Sequence, residues 1–225
     1  MIWILGIIAG IAVGAVLLAE EIKGRKFSVL GERRTGKTKL FEFLTTGTLS
    51  KEYMQTLYPK ETIENDLKLR DLELKIAESV DVPGSTDFRG DWKDITQKAD
   101  VILYLLRVDK LMEGDKSTER RVESDMGQID RWLKDTDQKV PLFIVGTHCD
   151  LTKPDLTKLP KDKKGDYEDH VRQMPILKKI RQLSGGGNRV KFAFGSLKST
   201  DTAEELVFNI IYQYIQHIKR EKGTS

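Results

Sequence analysis

The sequence has little cysteine and little histidine, and this shortage excludes two common ways of stabilising a small domain. The single cysteine, Cys149, cannot form a disulfide within the chain, so nothing indicates an oxidising compartment. The 3 histidines are scattered, and with one cysteine they do not give the ligand spacing of a zinc site. We therefore expect a reduced, cytosolic setting.

An excess of charge of either sign is also lacking. The chain has 38 lysines and arginines against 35 aspartates and glutamates, which leaves a net charge of only +3 in 225 residues. So small a charge gives no reason to expect binding to nucleic acid. The length fits one domain of ordinary size with a full hydrophobic core.

One long apolar run is present, near the N-terminus. Residues 2–19 (IWILGIIAGIAVGAVLLA) are 18 residues without a charge, about the minimum for a helix that crosses a bilayer. We predict a transmembrane anchor over residues 1–22 and a soluble domain over residues 23–225, so the lipid bilayer is a predicted partner of residues 2–19. The alternative is a cleaved signal peptide, but no basic segment precedes the run.

The residues around this run predict its orientation and one further property. Lys23, Arg25 and Lys26 follow it closely, and bases on that side indicate that the soluble domain lies in the cytosol. Self-association of the helix is one interpretation of its glycines, and the incidental use of glycine that is common in membrane helices is the other. The glycines recur on one helix face, at Gly6, Gly10 and Gly14.

A phosphate-binding loop opens the soluble domain. Residues 26–30 (KFSVL) are typical of a strand, residues 37–44 (KTKLFEFL) of a helix, and GERRTGKT between them matches G-x-x-x-x-G-K-[ST]. In that context backbone N–H groups and the helix N-terminus surround anionic phosphates. Lys37 is predicted to reach the β- and γ-phosphates, and the Thr38 hydroxyl to bind Mg²⁺. The predicted nucleotide-binding residues here are Gly31, Glu32, Arg33, Arg34, Thr35, Gly36, Lys37 and Thr38.

A second oxygen ligand for Mg²⁺ is predicted at the end of another strand. Residues 72–82 (LELKIAESVDV) alternate as one strand would and run into D-V-P-G. Asp81 is the candidate for the metal shell, and the Gly84 N–H for a γ-phosphate. The same four residues are also a common turn. Their position 43 residues beyond Thr38 leaves room for the intervening helix and strands.

The base is predicted to bind after a third strand, residues 141–145 (PLFIV). The Asp150 carboxylate can accept the N1 and N2 hydrogens of guanine, whereas adenine offers no such pair of donors. Thr147 and His148 precede it in the same loop. A fourth strand, residues 190–194 (VKFAF), leads to a loop whose backbone is expected to contact the guanine O6. The residues predicted there are Ser196, Leu197 and Lys198.

The four segments GERRTGKT, DVPG, THCD and GSLKS resemble, in this order and spacing, the motifs of the Ras-like small GTPases. The resemblance covers nearly all of residues 26–219. It implies an α/β fold, a three-layer P-loop NTPase domain with a mostly parallel sheet, and it implies GTP/GDP and Mg²⁺ as cofactors. The stretch DVPGSTDFRGDW is similar to the switch II of Arf-type GTPases at Asp81, Val82, Gly84, Arg89 and Trp92. Together with an N-terminal membrane helix it also resembles the β subunit of the signal-recognition-particle receptor.

The resemblance further implies a threonine that closes over the γ-phosphate and Mg²⁺. Thr62, in the segment YPKETIE, is the candidate, so Lys37, Gly84 and Thr62 are the predicted catalytic residues and Thr38, Asp81 and Thr62 the predicted metal ligands. Four other threonines compete with it, namely Thr45, Thr46, Thr48 and Thr56.

The chain departs from the family pattern at several positions. Ser85 stands where a glutamine usually orients the attacking water, and it is too short to do so directly, so we expect slow hydrolysis. Arg33 and Arg34 lie where many relatives have a small residue. They are either solvated or close to the γ-phosphate. Thr-His-Cys-Asp replaces Asn-Lys-x-Asp, and His148 takes the place of the lysine whose stem covers the base.

Other segments predict the framework around these motifs. Residues 100–108 (DVILYLLRV) are typical of a central parallel strand, residues 117–135 of an amphipathic helix, and residues 158–164 of a charge-rich loop. Thr202-x-x-Glu205 predicts the capped start of a final helix. That helix is expected to bury Leu206, Val207, Ile210, Ile211, Tyr214 and Ile218.

Three functional hypotheses follow from these features. The first is a membrane-anchored GTP-binding switch, a GTPase with a low intrinsic rate that recruits a cytosolic effector protein. The second is a GTP-bound membrane docking module that does not hydrolyse, which Ser85 and Arg33 favour. The third is an ATPase, favoured by the imperfect base motif and disfavoured by Asp150.

Overall fold

The strands and helices are those of an open α/β domain. The structure is a computed structural model, and it describes residues 25–49, 60–62, 65–69, 72–76, 79–81, 89–135, 140–184 and 189–223. Within these ranges only the backbone is described for residues 45, 60–62, 65–69, 72–76, 79–81 and 89–91. The predicted anchor, with its three glycines, lies outside the described residues. In the part of the chain that is described, no helix is both long and apolar enough to cross a bilayer.

The elements alternate along the chain as the family pattern implies. The strands are β1 (Phe27–Gly31), β2 (Lys60–Thr62), β3 (Asn65–Leu69), β4 (Leu72–Ile76), β5 (Ser79–Asp81), β6 (Val101–Arg107), β7 (Leu142–Thr147) and β8 (Val190–Phe194). The helices are α1 (Lys37–Thr46), α2 (Arg89–Lys98), α3 (Val108–Met112), α4 (Lys116–Lys134), α5 (Lys161–Arg172), α6 (Pro175–Leu183) and α7 (Thr200–Gly223), with a 3₁₀ turn at Leu156–Lys158.

The main sheet has six strands in the order β2-β5-β1-β6-β7-β8. All neighbouring pairs are parallel except β2 and β5, which are antiparallel. The prediction of a mostly parallel sheet is therefore confirmed. Parallel strands end at the same edge, so the loops after β1, β5, β7 and β8 share one edge of the sheet.

The prediction of one strand over residues 72–82 is wrong. Two strands occupy that stretch: β4 pairs with β3 in a separate antiparallel ribbon, and β5 pairs with β1 in the main sheet. Alternating hydrophobicity reports which face of a strand a residue occupies, and it carries no information about the partner strand. The pattern therefore continues unchanged across the boundary between the two sheets.

Strand β6 divides the core into two layers. Its even-numbered side chains, Ile102, Tyr104 and Leu106, pack into a cluster formed with α2, α4, α5 and α6. Its odd-numbered side chains, among them Leu103 and Leu105, pack into a second cluster formed with α1 and α7. A strand covered on both faces is apolar at nearly every position, as the sequence of this segment predicts.

The final helix begins earlier than predicted. Helix α7 starts at Thr200, and the cap is formed by Ser199, whose Oγ accepts from the Thr202 N–H at 3.4 Å while the Ser199 N–H donates to Thr202 Oγ1 at 3.2 Å. A serine three residues ahead of a threonine makes the same reciprocal pair of bonds that was predicted for Thr202 and Glu205. All six residues predicted to be buried are buried, and Ile215 joins them.

Residues 158–164 are not a continuous loop, because α5 begins at Lys161. This helix buries only Tyr167 and Val171 among its twelve residues, KDKKGDYEDHVR. So narrow an apolar face gives almost no helical periodicity, and the start of α5 is therefore hidden in a run of charges.

Candidate functional site

The phosphate loop joins β1 directly to α1. Arg34 and Gly36 have left-handed backbones, with φ of 61° and 92°, and Gly31 has a φ of 139°. Left-handed residues among right-handed ones turn successive N–H groups toward one centre, which is the geometry of an anion-binding nest. Two side chains donate to the Glu32 carbonyl oxygen, Thr35 Oγ1 at 2.8 Å and Lys37 Nζ at 2.9 Å. The loop thus holds the buried Lys37 ammonium against its own backbone.

Glycine is required at both ends of this loop. A Cβ on Gly31 would lie 2.3 Å from the Leu105 carbonyl oxygen of β6, and a Cβ on Gly36 would lie 2.8 Å from Leu197 Cδ1. The first obstacle is the backbone of the neighbouring strand, and the second is the end of a side chain in the segment that follows β8. A side chain is therefore excluded at Gly31 by backbone atoms, and at Gly36 it is disfavoured mainly by the left-handed φ of 92°.

Thr147, the last residue of β7, connects the two ends of the site. Its Oγ1 lies 2.8 Å from the Thr35 carbonyl oxygen, 3.1 Å from the Leu106 carbonyl oxygen and 2.9 Å from His148 Nδ1. One hydroxyl has one proton, and the two carbonyl oxygens can only accept, so the Thr147 proton goes to a carbonyl. His148 Nδ1 must then carry a hydrogen and donate it to Thr147 Oγ1, which leaves Nε2 as an acceptor in the neutral ring.

Asp150 is held by the loop that follows β8. Ser196 Oγ donates to Asp150 Oδ1 at 2.7 Å and accepts from the Lys198 N–H at 3.1 Å. Backbone bonds join the same two loops, from the Cys149 N–H to the Gly195 carbonyl oxygen and from the Gly195 N–H to the Gly146 carbonyl oxygen. Two segments that are far apart in the sequence therefore form one unit around the Asp150 carboxylate.

Asp81 ends β5 at the edge where the phosphate loop begins. Its backbone is in register with Val29 of β1, two residues before Gly31, and with Lys60 of β2. Thr62 is in register with Ser79 instead. Lys60, and not Thr62, is therefore the strand residue opposite Asp81. The role of Thr62 as a metal ligand stays a prediction, and the competing Thr56 lies outside the described residues.

A comparison with protein families shows what this arrangement belongs to. The model of the Ras family matches residues 26–219, most of the chain. The chain belongs to the Ras family. Ras-family proteins are GTP-binding switches that typically bind Mg²⁺ with the nucleotide and generally hydrolyse GTP. A comparison with curated proteins found no match.

The residues of this Ras-family chain fit a magnesium ion bound together with phosphates. Mg²⁺ prefers oxygen ligands, keeps several waters, and usually takes only one or two carboxylates beside substrate phosphates. The two predicted ligands, the hydroxyl of Thr38 in α1 and the carboxylate of Asp81 in β5, supply oxygen atoms of this kind. A metal site made by protein alone is a different case, and the described residues contain no cluster of three His, Cys, Asp or Glu that could form one.

His148 lies in the Ras-family base loop with a left-handed backbone, φ 60°. Burial lowers the pKa of His148, and the charge of Arg107 lowers it further, against the opposing effects of Asp109 and Asp150. Arg107 ends β6 and donates from Nε to Asp109 Oδ1 at 3.1 Å. Burial raises the pKa of Asp109, but the Arg107 hydrogen bond and charge outweigh it, so the net shift is downward. At neutral pH His148 is therefore uncharged, beside the ion pair of Arg107 and Asp109.

We expect the folded chain to lose stability when the pH falls below about 6.5, the ordinary pKa of histidine. The unfolded chain, in which His148 has this ordinary pKa, binds the proton more readily than the folded chain does. Stability present above that pH is therefore lost as the pH falls toward the lowered pKa. Urea unfolding midpoints at pH 7.5 and pH 5.5 measure the loss. In the His148→Gln variant the difference between the two midpoints should shrink, and an unchanged difference would assign it elsewhere, first to His217, whose pKa burial also lowers.

A buried polar network beneath the phosphate loop has no counterpart in the sequence analysis. Tyr104 Oη donates to Asp125 Oδ2 at 2.9 Å, and Arg121 Nε donates to the same oxygen at 2.7 Å. The Arg121 guanidinium lies 5.9 Å from the ring centroid of Trp92 in α2. Burial raises the pKa of Glu32 in the loop, an effect that the Arg121 charge opposes. The one available signal was the tyrosine inside the apolar run of β6, because a buried hydroxyl needs a partner.

The remaining predicted residues differ in where they lie. Arg33 and Arg34 are exposed on the phosphate loop. In the loop after β8, Ser196 and Leu197 are buried and Lys198 is exposed. Val82, Gly84 and Ser85 lie outside the described residues. Trp92, predicted as part of the switch II pattern, is buried between α2 and α4.

Proposed function

We propose that this chain is a membrane-anchored GTP-binding switch that hydrolyses GTP slowly and recruits a cytosolic effector protein in one nucleotide state. The observation that supports it most is the bond from Thr147 Oγ1 to the Thr35 carbonyl oxygen at 2.8 Å. This bond holds the loop that carries Asp150 and the loop that carries Lys37 at the two ends of one site. A purine triphosphate has its base at one end and its anionic phosphates at the other. The base would lie at Asp150 and the phosphates at Lys37.

The individual roles follow from chemistry. Lys37 places a positive charge in the nest of the phosphate loop, where the β- and γ-phosphates need a counter-charge. Asp150, oriented by Ser196, accepts from guanine N1 and N2. Mg²⁺, when bound through Thr38 and Asp81, neutralises the charge that develops on the phosphates. Gly84 offers a backbone N–H to the γ-phosphate, and Thr62 is the proposed switch threonine.

The switching segments are proposed to be residues 45–66 and 84–95. In this class of protein, switching commonly means that such segments become ordered when the γ-phosphate is bound and lose that order after hydrolysis. The second segment runs into α2, whose Trp92 packs against α4 under Arg121. A change in the segment before α2 is thereby coupled to a buried side chain. An effector that binds α2 would therefore respond to which nucleotide is bound.

Nucleotide binding is tested with the full chain in detergent micelles. Isothermal titration calorimetry with GTP, GDP and ATP, each with and without Mg²⁺, should give heat with both guanine nucleotides, tighter GTP binding with the metal, and little competition by ATP. Equal binding of ATP and GTP would favour the ATPase hypothesis. The absence of heat from any guanine nucleotide would refute the proposal.

Slow turnover is attributed to Ser85. In a single-turnover experiment with bound GTP, the Ser85→Gln variant should hydrolyse faster than the wild type, by about tenfold or more, because a glutamine can orient the attacking water. The matched control is Ser117→Gln in the first turn of α4, which should leave the rate unchanged. If the wild type shows no decay at all and the variant gains none, the chain is a docking module with stably bound GTP.

Membrane attachment is proposed to rest on residues 1–22, with the GTP-binding domain in the cytosol. The Arf-type pattern around Asp81 and Trp92, combined with an N-terminal apolar helix, supports a role at a membrane like that of the signal-recognition-particle receptor β subunit. In expressing cells the full chain should stay in the membrane pellet after alkaline carbonate extraction, and its C-terminus should be open to protease from the cytosolic side.

Self-association through Gly6, Gly10 and Gly14 is a separate proposal. It would be supported by dimers that are lost when Gly10 is replaced by leucine.

A further inference from the structure

Lys39 lies between the two loops that form the base end of the site. It is the third residue of α1, which begins at the phosphate loop, and its side chain is half-buried. Lys39 Nζ donates to the Leu197 carbonyl oxygen at 3.4 Å, across 158 residues of sequence. Burial is the main cause that lowers the pKa of His148, in the other base loop, and the charge of Lys39 adds to it. The ammonium group is therefore near both loops.

Guanine has two polar edges, and Asp150 can serve only one of them. The N1 and N2 hydrogens are donors that a carboxylate accepts, whereas N7 and O6 are acceptors that need a donor. Lysine and arginine are the usual side chains for that acceptor edge in nucleic-acid recognition, because one cation can serve both atoms. The backbone of residues 196–198 is the donor expected at O6, so a cation near this edge adds a second donor to O6 and supplies one to N7.

Three other side-chain donors near the base are already engaged within the protein. The Thr147 hydroxyl donates to a backbone carbonyl, and the Ser196 hydroxyl donates to Asp150. His148 Nδ1 faces Thr147 Oγ1 at 2.9 Å. The Lys39 ammonium has three hydrogens, and its bond to the Leu197 carbonyl oxygen is long at 3.4 Å. Lys39 therefore has hydrogens to spare, and it differs from the exposed Lys198 in being half-buried between the two loops.

We propose that Lys39 is a specificity residue that donates to the N7 and O6 edge of guanine. The assignment rests on the proposed GTP binding and extends it to the second edge of the base. In this assignment the Leu197 carbonyl oxygen takes one hydrogen of the ammonium, and the others are available to the base. Adenine presents an amino group where guanine has O6, so the Lys39 ammonium disfavours adenine at the same edge.

The alternative is a structural role, in which Lys39 only ties α1 to the loop after β8. The two roles differ in how binding depends on the base. Replacing a structural lysine would weaken the binding of every nucleotide alike. Replacing a lysine that contacts N7 and O6 would weaken the binding only of nucleotides whose base carries both acceptors. The test must therefore compare analogues and not GTP alone.

The experiment measures dissociation constants of the full chain in detergent micelles for GTP, 7-deaza-GTP and 6-thio-GTP. The first analogue lacks the N7 acceptor and the second has a weak acceptor in place of O6, while both keep the N1 and N2 hydrogens that Asp150 accepts. The wild type should bind each analogue about 5- to 10-fold more weakly than GTP. In Lys39→Met, which keeps the apolar stem, GTP should bind about 10-fold more weakly, and the difference between GTP and 7-deaza-GTP should fall below about twofold. The penalty for 6-thio-GTP should shrink but not vanish, because the backbone of residues 196–198 also faces O6.

Lys163→Met is the matched control. Lys163 is also the third residue of a helix, α5, and it is exposed. This variant should keep the wild-type pattern for all three nucleotides. An equal loss of affinity for all three in Lys39→Met, or unchanged penalties for the analogues, would overturn the assignment of Lys39 while leaving GTP binding in place. No GTP binding by the wild type would overturn both the assignment and the proposed function.

Discussion

An Asp150→Asn variant should lose affinity for GTP and gain affinity for xanthosine triphosphate. Asparagine puts an amide donor where guanine presents its N1 and N2 hydrogens, so donors face donors and GTP affinity should fall on the order of 10²- to 10³-fold. Xanthine carries a carbonyl oxygen at position 2 and can accept from the new amide. Competition between labelled GTP and labelled xanthosine triphosphate measures the exchange of preference.

The variant should remain folded, because the environment of Asp150 tolerates the amide. Ser196 Oγ donates to Oδ1, and an asparagine oxygen can accept that bond as the carboxylate does. Asp162→Asn, an exposed change in the first turn of α5, is the control and should leave the base preference as it is. If Asp150→Asn kept its preference for GTP, this residue would not read the base, and the case against an ATPase would lose its main support.

Gly31→Ala is the substitution expected to damage the fold most. The new Cβ would meet the Leu105 carbonyl oxygen at 2.3 Å, in a backbone with φ of 139°. The obstacle is the backbone of the neighbouring strand and cannot rotate away, so we expect a loss of about 3 kcal/mol or more in the free energy of unfolding. That is a large part of the roughly 5 to 15 kcal/mol that a domain has. Urea unfolding followed by circular dichroism measures the loss, with insoluble expression as the extreme result.

Two other glycines separate the causes of this loss. Gly114 has a φ of 74° but nothing within 4 Å of its Cβ position, so Gly114→Ala should cost only about 1 to 2 kcal/mol for the left-handed backbone. Gly165 is inside α5 with open space around it, and Gly165→Ala should stabilise the chain by up to about 1 kcal/mol. If Gly31→Ala were as stable as Gly114→Ala, the prediction would be wrong, and β1 and β6 would have to separate easily at Gly31 and Leu105.

The features that the sequence predicted well are those that repeat locally. The apolar run of β6, the buried face of α7 and the strand-loop-helix order around Gly31 all follow from a periodicity of two or 3.6 residues or from a motif with fixed spacing. Each depends on residues close together in the chain. Their bounds agree with the structure to within a residue or two, apart from the start of α7.

The features that could not be predicted depend on contacts between distant residues. The boundary between β4 and β5 is set by which strand each one pairs with. The apolar face of α5 is too narrow to give a helical periodicity in the sequence. The bonds of Thr147 to Thr35 and of Lys39 to Leu197 join residues 112 and 158 positions apart. No pattern along the chain encodes such pairs, so these parts of the candidate site required the fold.

The Thr147 hydroxyl has a consequence for nucleotide release. Because it holds the backbone of the phosphate loop at Thr35, a displacement of the loop that carries Asp150 strains the loop that carries Lys37. An exchange factor that loosens either loop should thereby weaken the grip on the other half of the ligand. Dissociation would then occur in one step, and base and phosphates would leave together.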